Sequence, residues 1–141
     1  MFDNYFEDYE VKPGFNKEYI SLWSGWLGKD RYHLLDKVTE EEWSRFNRLI
    51  STLAQDFRLG VADFSTRILH FPENIENFLD NYETSLDKNS DNFSKFVIPQ
   101  LNCVITEEWD YTYILWHRND GAVSALEPYI WNVKLQHFAD N

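Results

Sequence analysis

Residues 95–117 read KFVIPQLNCVITEEWDYTYILWH. Two runs rich in β-branched and aromatic residues, KFVIPQLNCVIT and DYTYILWH, flank a short acidic turn at residues 107–110. Such runs favour strands, and a short connection joins antiparallel neighbours, so this stretch predicts a β-hairpin. Pro99 cannot donate a hydrogen bond to a neighbouring strand, so it is expected at a sheet edge, at a bulge or among the first residues of its strand.

Length and composition limit the class of protein. The chain has 141 residues, of which 43% are apolar and 18% aromatic, so residues 1–141 fit one domain with a core of its own. No apolar run approaches the roughly 18 residues of a membrane span. The acidic start MFDNYFEDYE lacks the basic and apolar regions of a signal peptide. We therefore expect a cytoplasmic protein.

A helix is predicted over residues 40–59. Thr39 and Glu42 have the spacing of a capping box, and Gly60 follows the last periodic residue. The apolar residues between these signals recur at helical spacing and should face the core: Trp43, Phe46, Leu49, Ile50, Leu53, Ala54 and Phe57.

A second helix is predicted from Pro72, which suits a first helical position. Its apolar face would contain Ile75, Phe78, Leu79, Tyr82 and Leu86. The opposite face would carry five carboxylates within a sector of roughly 80°, with no lysine or arginine among them: Glu73, Glu76, Asp80, Glu83 and Asp87. Like charges at these spacings destabilise a helix. This acidic stripe is therefore either a solvated face or a surface that a cationic partner neutralises.

The remaining segments complete the predicted fold. Residues 1–35 contain Pro13-Gly14 and the glycines of LWSGWLG, which predict loop with short helical turns. A loop at residues 61–65 leads into TRILHF, a short strand or turn. After Asp120-Gly121, AVSALEPYIW predicts a third helix that Pro128 shortens or bends, and VKLQHF predicts a last strand. Together these elements predict an α+β fold, a small, mainly antiparallel sheet with about three helices packed on one face.

Net charge bears on the class of partner. The chain carries 24 acidic and 13 basic residues, a formal charge of −11 at pH 7. Nucleic acid and anionic membrane both require a surface of lysine and arginine, so neither is expected as a partner. The complementary partner would be a basic protein.

The sequence contains no motif of a known catalytic or cofactor site. Phosphate-binding and dinucleotide-binding glycine loops, GxSxG, HExxH and CxxC are all missing from it. Cys103, within LNCVIT, is expected to be a buried structural residue. The four histidines are widely separated and have no partner at ligand spacing, so neither a metal nor a cofactor is predicted: His33, His70, His117 and His137.

The acidic turn admits two interpretations. Glu107, Glu108 and Asp110 could perform acid–base catalysis only if their environments separated their pKa values, and a solvated turn keeps them ionised. No catalytic residue is therefore expected. Trp109 lies between Glu108 and Asp110, a composition typical of an interface hot spot that faces arginine or lysine. Trp109 would then either contact a partner or cover the core.

A small, acidic, aromatic-rich chain without a catalytic motif resembles the immunity proteins of bacterial toxin systems, such as contact-dependent growth inhibition and colicin-type nucleases. The resemblance is one of class and charge across the whole chain. It implies a protein that binds a cognate toxin domain, often a basic nuclease, and blocks its active site or substrate groove. The charge pattern alone supplies the expected contact residues: Glu73, Glu76, Asp80, Glu83, Asp87, Glu107, Glu108, Trp109 and Asp110.

Two other functions fit the same sequence. One is a phage-encoded nucleic-acid mimic that inhibits a host nuclease, which would use the same acidic surface. The other is a small enzyme or ligand-binding domain that uses the aromatic face of the sheet. This last function requires a concave pocket with convergent polar groups and at least one perturbed histidine or carboxylate.

Overall fold

The structure is a computed structural model that describes residues 1–140, and within them it has nine strands and four α-helices. The helices are α1 (Gly28–Arg31), α2 (Glu40–Asp56), α3 (Tyr82–Leu86) and α4 (Asp120–Asn132). The strands are β1 (Phe6–Glu7), β2 (Glu10–Val11), β3 (Asn16–Ser21), β4 (Gly60–Asp63), β5 (Ile68–His70), β6 (Lys95–Ile98), β7 (Cys103–Glu107), β8 (Thr112–His117) and β9 (Gln136–Phe138).

Seven of the strands form one antiparallel sheet in the order β5-β4-β6-β7-β8-β3-β9, and β1 and β2 form a separate hairpin. The predicted hairpin of residues 95–117 supplies three neighbouring inner strands. In the β7–β8 pair Ile105 lies opposite Leu115. In the β3–β8 pair Ser21 lies opposite Thr112. The predicted α+β fold with a mainly antiparallel sheet is confirmed.

The main core lies between one face of the sheet and helices α2 and α4. Side chains alternate between the faces of a strand, so Cys103 and Ile105 of β7 point into this core while Val104 points to the opposite face. Both faces of the inner strands are covered, which explains their nearly continuous apolar sequence. The core residues from the two helices are Phe46, Leu49, Ile50, Leu53, Ala122, Leu126 and Ile130.

The opposite face of the sheet is covered by segments that the sequence analysis assigned to loop. Phe2, Tyr5 and Phe6 pack there against Val97 and Val104 in a second apolar cluster. The prediction of loop with helical turns for residues 1–35 is wrong at β3, which lies between β8 and β9. The short helix α1 does lie in this region, in the segment that follows β3.

Helix α2 follows its local signals closely. The Thr39 hydroxyl accepts a hydrogen bond from the Glu42 backbone, and the Glu42 carboxylate accepts one from the Thr39 backbone, which completes the capping box. The helix ends at Asp56 rather than near residue 59. Gly60 does not terminate it but begins β4, where the Phe71 ring approaches so closely that a Cβ would lie 3.0 Å from it.

The predicted second helix from Pro72 is wrong. The chain forms a 3₁₀ turn at Ile75–Phe78 and the five-residue helix α3, separated by an extended break. The side chains of Asn74 and Asn81 cap these two short elements, because asparagine accepts hydrogen bonds from the backbone N–H groups of a following turn. The five carboxylates predicted to share one helical face therefore lie on separate turns.

Smaller differences concern strand limits. The predicted loop at residues 61–65 is largely β4, and KFVIPQLNCVIT is two strands joined by a 3₁₀ turn at Pro99–Leu101. Pro99 thus lies just outside β6. Helix α4 continues past Pro128, which occupies an exposed position, and the last strand begins only at Gln136.

Candidate functional site

The loop between β7 and β8, residues 108–111, forms the tip of the central hairpin. The Glu108 N–H donates to the Thr112 carbonyl at 3.0 Å and closes the loop. Asp110 and Tyr111 both have left-handed backbone, with φ of 60° and 55°. Left-handed residues are common in the tight turns of β-hairpins, and Asp8 and Tyr9 in the β1–β2 turn have the same conformation. The hairpin tip is therefore a candidate site on charge rather than on backbone geometry.

Glu107 and Glu108 lie on opposite faces of the sheet and have different roles. The Glu107 carboxylate accepts hydrogen bonds from Lys88 Nζ at 2.7 Å and from the Ser94 N–H at 2.8 Å. The Glu108 carboxylate accepts from the Thr106 hydroxyl at 2.7 Å on the other face, and that hydroxyl in turn accepts from the Trp116 indole N–H. Glu107 is thus part of a structural network on the side of the main core, whereas Glu108 lies on the opposite face of the sheet.

Lys88 neutralises two of the expected contact residues. Its Nζ lies 2.5 Å from Asp80 Oδ2 and 2.7 Å from Glu107 Oε1, and its side chain is only 9% exposed. Burial opposes the charged form of Lys88, but the hydrogen bonds to Asp80 and Glu107 outweigh burial and raise its pKa. Asp80 and Glu107 therefore tie the loop after α3 to the central hairpin, and their charge is compensated within the chain.

The other carboxylates of residues 73–87 do not form one surface. The Glu76 carboxylate accepts a hydrogen bond from the Ser51 hydroxyl at 2.6 Å and so fastens its turn to α2. Glu73, Glu83 and Asp87 are exposed on the separate turns described above. The predicted stripe thus consists of two side chains with structural contacts, Glu76 and Asp80, and three solvated ones.

Trp109 is a surface residue. Its side chain is 58% exposed and rests edge-on against Phe93, with 4.8 Å between ring centroids. The two predicted roles of Trp109, contact with a partner and cover of the core, both stay predictions. Among residues 1–140, no lysine, arginine or histidine forms an ion pair with the neighbouring Glu108 or Asp110. We call Glu108, Trp109 and Asp110 the hairpin surface.

An aromatic cleft of about 610 Å³ adjoins the hairpin surface on the face of the sheet opposite the main core. Its floor consists of β3 and β8 side chains, among them Ser21, Thr112 and Ile114. The segment between β3 and α2 forms one wall and the hairpin surface forms another. Five aromatic side chains line it: Tyr19, Trp23, Trp26, Tyr32 and Trp109. Sequence reasoning missed this cleft, although the spaced aromatics of LWSGWLGKDRY are a signal for it.

The cleft is electrostatically negative. Glu108 and Asp110 line it opposite a single ammonium group, that of the exposed Lys29. Burial raises the pKa of the Tyr19 phenol, and the carboxylates of Asp140 and Glu108 raise it further. Tyr19 and Trp26 are in edge-to-face contact, with 4.6 Å between ring centroids.

A second cluster of ionisable groups joins the sheet to α4. His137 Nδ1 lies 2.5 Å from Glu18 Oε2, and His137 Nε2 lies 2.8 Å from Glu127 Oε2. Burial would lower the pKa of His137, but the hydrogen bonds to the two carboxylates outweigh burial and raise it. The imidazolium therefore fastens the edge strand β9 to β3 and α4. Sequence reasoning missed this cluster because its members are far apart in the chain.

Cys103 is buried in the main core, as predicted. Burial raises the pKa of its thiol to about 12, so the thiolate that nucleophilic chemistry requires is scarce at neutral pH. In the described residues, no group of three or more histidine, cysteine, aspartate or glutamate side chains is arranged to hold a metal ion.

Comparisons of this chain with protein-family models, with curated proteins and with solved structures found no match. From Met1 to Asp140, no helix has both the length and the apolar character needed to cross a membrane.

Proposed function

We propose that this chain is an immunity-type inhibitor, which binds a basic toxin domain in the cytoplasm through the hairpin surface. The observation that carries the proposal is the exposed Trp109 between two carboxylates that lack an ion-pair partner in the described chain. Aromatic side chains in the centre of an interface supply much of its binding energy. Adjacent negative charge selects partners that present arginine and lysine.

The proposed mechanism is occupation of a nucleic-acid site. A nuclease binds the phosphate backbone with lysine and arginine side chains. Carboxylates held at the hairpin surface would take the positions of phosphates, and Trp109 would cover the neighbouring apolar area. The net charge of −11 would also speed association through long-range attraction.

Backbone geometry supports a preorganised contact. The left-handed residues Asp110 and Tyr111 fix the direction of the loop that carries Trp109. The Lys88 network holds Glu107 at the base of the same hairpin. A loop that is ordered before binding loses less conformational entropy on association than a mobile one. Asp80 and Glu107 therefore act as supports of the surface in this proposal rather than as partner contacts.

Capture of a partner from the native host tests the proposal. We expect the purified chain to retain one basic protein at low salt and less of it as salt rises, because screening weakens charge complementarity. The double variant Glu108→Lys with Asp110→Lys should lose the partner. The captured protein, once purified, should show a nuclease or other toxic activity that the wild-type chain inhibits.

The control variant is Glu73→Lys with Glu83→Lys, which changes the net charge equally at exposed positions outside the hairpin. It should retain the partner at the same salt concentration. Retention of the partner by the hairpin variant and its loss by the control would place the interface on residues 73–87 and refute the hairpin surface.

Two alternatives keep specific support. A phage-encoded inhibitor of a host nuclease would use the same hairpin surface, and the neighbouring genes would distinguish it from an immunity protein. A ligand-binding domain is favoured by the aromatic cleft, whose concave shape and polar floor at Ser21 and Thr112 fit a small ligand. Binding of small probes to the cleft bears on this second alternative directly.

A further inference from the structure

The aromatic cleft has the chemistry of a cation site. Rings of Tyr19, Trp23, Trp26 and Trp109 line it, and those of Tyr19 and Trp26 also pack on Phe138. The face of an aromatic ring carries partial negative charge and attracts cations, most strongly for tryptophan. The carboxylates of Glu108 and Asp110 at the hairpin side add full negative charge. Ring faces and carboxylates therefore favour the same kind of occupant.

We infer that the aromatic cleft receives an arginine side chain of the partner, an inference that rests on the proposed function. Charge complementarity identifies the occupant as cationic. The guanidinium group is planar, so it can stack on a tryptophan or tyrosine ring while its N–H groups donate to a carboxylate. It is also less strongly hydrated than an ammonium group, which reduces the cost of entering an aromatic site.

The cleft is large enough to admit a side chain of another protein. Its volume of about 610 Å³ exceeds that of an arginine side chain, and Glu108, Trp109 and Asp110 of the hairpin surface form part of its lining. A partner that contacts Trp109 would thus lie next to the mouth of the cleft. Lys29 lines the rim on an exposed helix and can extend into solvent when a cation enters.

NMR of the tryptophan indole N–H signals tests this inference without the partner. The six tryptophans give separate reporters: Trp23, Trp26 and Trp109 line the cleft, whereas Trp43, Trp116 and Trp131 do not. The probes are N-acetyl-arginine amide, N-acetyl-lysine amide and the neutral analogue N-acetyl-citrulline amide at constant ionic strength. We expect arginine amide to shift the cleft signals saturably, with a Kd on the order of 10 mM. The signals of Trp43 and Trp131 should stay in place, whereas the Trp116 N–H is linked to Glu108 through the Thr106 hydroxyl and is not used as a control.

The comparison of probes decides the chemistry of the site. Citrulline amide should bind at least roughly five-fold more weakly than arginine amide, because it has a similar shape and no charge. Equal binding of the two would show a neutral apolar site and overturn the inference. Tighter binding of lysine amide would overturn the choice of arginine, and an absence of shifts up to about 50 mM arginine amide would overturn the site itself.

Conservative variants distinguish the contribution of the carboxylates to binding from that of the aromatic rings. Glu108→Gln with Asp110→Asn should weaken arginine amide roughly five-fold, whereas the matched control Glu73→Gln with Glu83→Gln should bind like wild type. Trp26→Leu keeps an apolar side chain and removes a ring face, so it should also weaken binding. The dispersion of the spectra shows at the same time whether each variant is folded.

The inference and the proposed function fail in different ways. If the hairpin reversal abolishes capture of a basic partner but arginine amide leaves the cleft signals unmoved, the proposed function stands and the arginine site is refuted. If arginine amide binds but no partner shows salt-dependent capture, the cleft is a cation site and the immunity-type function is refuted.

Discussion

Replacement of Lys88 by methionine is expected to lower the free energy of unfolding by roughly 3 kcal/mol, the lower end of the range for breaking a buried ion pair. The substitution keeps the length of the side chain and removes its charge. Asp80 and Glu107 then share a partly buried space without a cation, since both currently contact the same Nζ. Urea unfolding at neutral pH measures the change.

Removal of one of the two uncompensated carboxylates gives a second readout. Lys88→Met with Glu107→Gln should recover part of the lost stability, because only one carboxylate then remains without a cation. The control Lys37→Met removes the same charge at an exposed position and should change stability by less than about 0.5 kcal/mol.

A loss no larger for Lys88→Met than for Lys37→Met would show that the Lys88 network contributes little to folding. In that case Asp80 and Glu107 would again be candidates for partner contacts. The result therefore also tests the distinction between supporting and contacting carboxylates at the hairpin.

Replacement of His137 by glutamine is expected to lower the free energy of unfolding at pH 6 by roughly 2 to 3 kcal/mol, because two charge-assisted hydrogen bonds are lost. The Glu18 and His137 side chains are 12% and 13% exposed, so this pair is weakly screened. Glu127 is 35% exposed and contributes less. Urea unfolding of wild type and variant at pH 6 and pH 9 measures the effect.

The sign of the pH dependence follows from the raised pKa of His137. The folded protein binds a proton at this site more tightly than the unfolded chain, whose histidine pKa is about 6.5. The stabilisation is fully present below the unfolded value and is lost as the pH rises through the folded value. Wild type should thus lose stability between pH 6 and pH 9, and the variant should lose much less.

The matched control for His137 is His33→Gln, at an exposed position. It should leave both the stability and its slope with pH close to those of wild type. Parallel slopes for wild type and His137→Gln would mean that His137 titrates alike in the folded and unfolded chains, and the proposed role of the imidazolium in fastening β9 would be wrong.

Local signals explain which parts of the fold the sequence predicted. Helix α2 has a capping box and a strong apolar stripe, and both act within a few residues of the chain. The central hairpin has β-branched and aromatic runs around a short turn. In each case the information lies within the segment itself, so no knowledge of the rest of the chain is needed.

The wrong predictions have two causes. One is contact between residues far apart in the chain, and the other is local capping that competes with a longer helix. Strand β3 reads NKEYIS, and its buried Glu18 is compensated by His137, which is 119 residues away. No local pattern reveals such a partner. In residues 72–87 the apolar spacing suggested one helix, but Asn74 and Asn81 cap separate short turns. Capping by asparagine competes with continuation of a helix, and here the competition decided the structure.

The candidate site likewise combines features that the local sequence indicated with features that depend on tertiary packing. The composition of the turn singled out Trp109 and its acidic neighbours but left open whether Trp109 contacts a partner or covers the core, and its side chain is exposed. The pairing of Asp80 and Glu107 with Lys88 depends on packing of distant segments and was not foreseeable. The aromatic cleft likewise requires β3 and β8 to be neighbours, and the spaced aromatics of LWSGWLGKDRY do not reveal that pairing.

The association rate of the chain with its captured partner tests the central claim most directly. Electrostatic complementarity acts mainly on this rate, so we expect it to fall steeply with added salt and by about ten-fold or more in Glu108→Lys with Asp110→Lys. Glu73→Lys with Glu83→Lys should change it far less. An association rate that is insensitive to salt and identical in all three proteins would contradict binding through the hairpin surface.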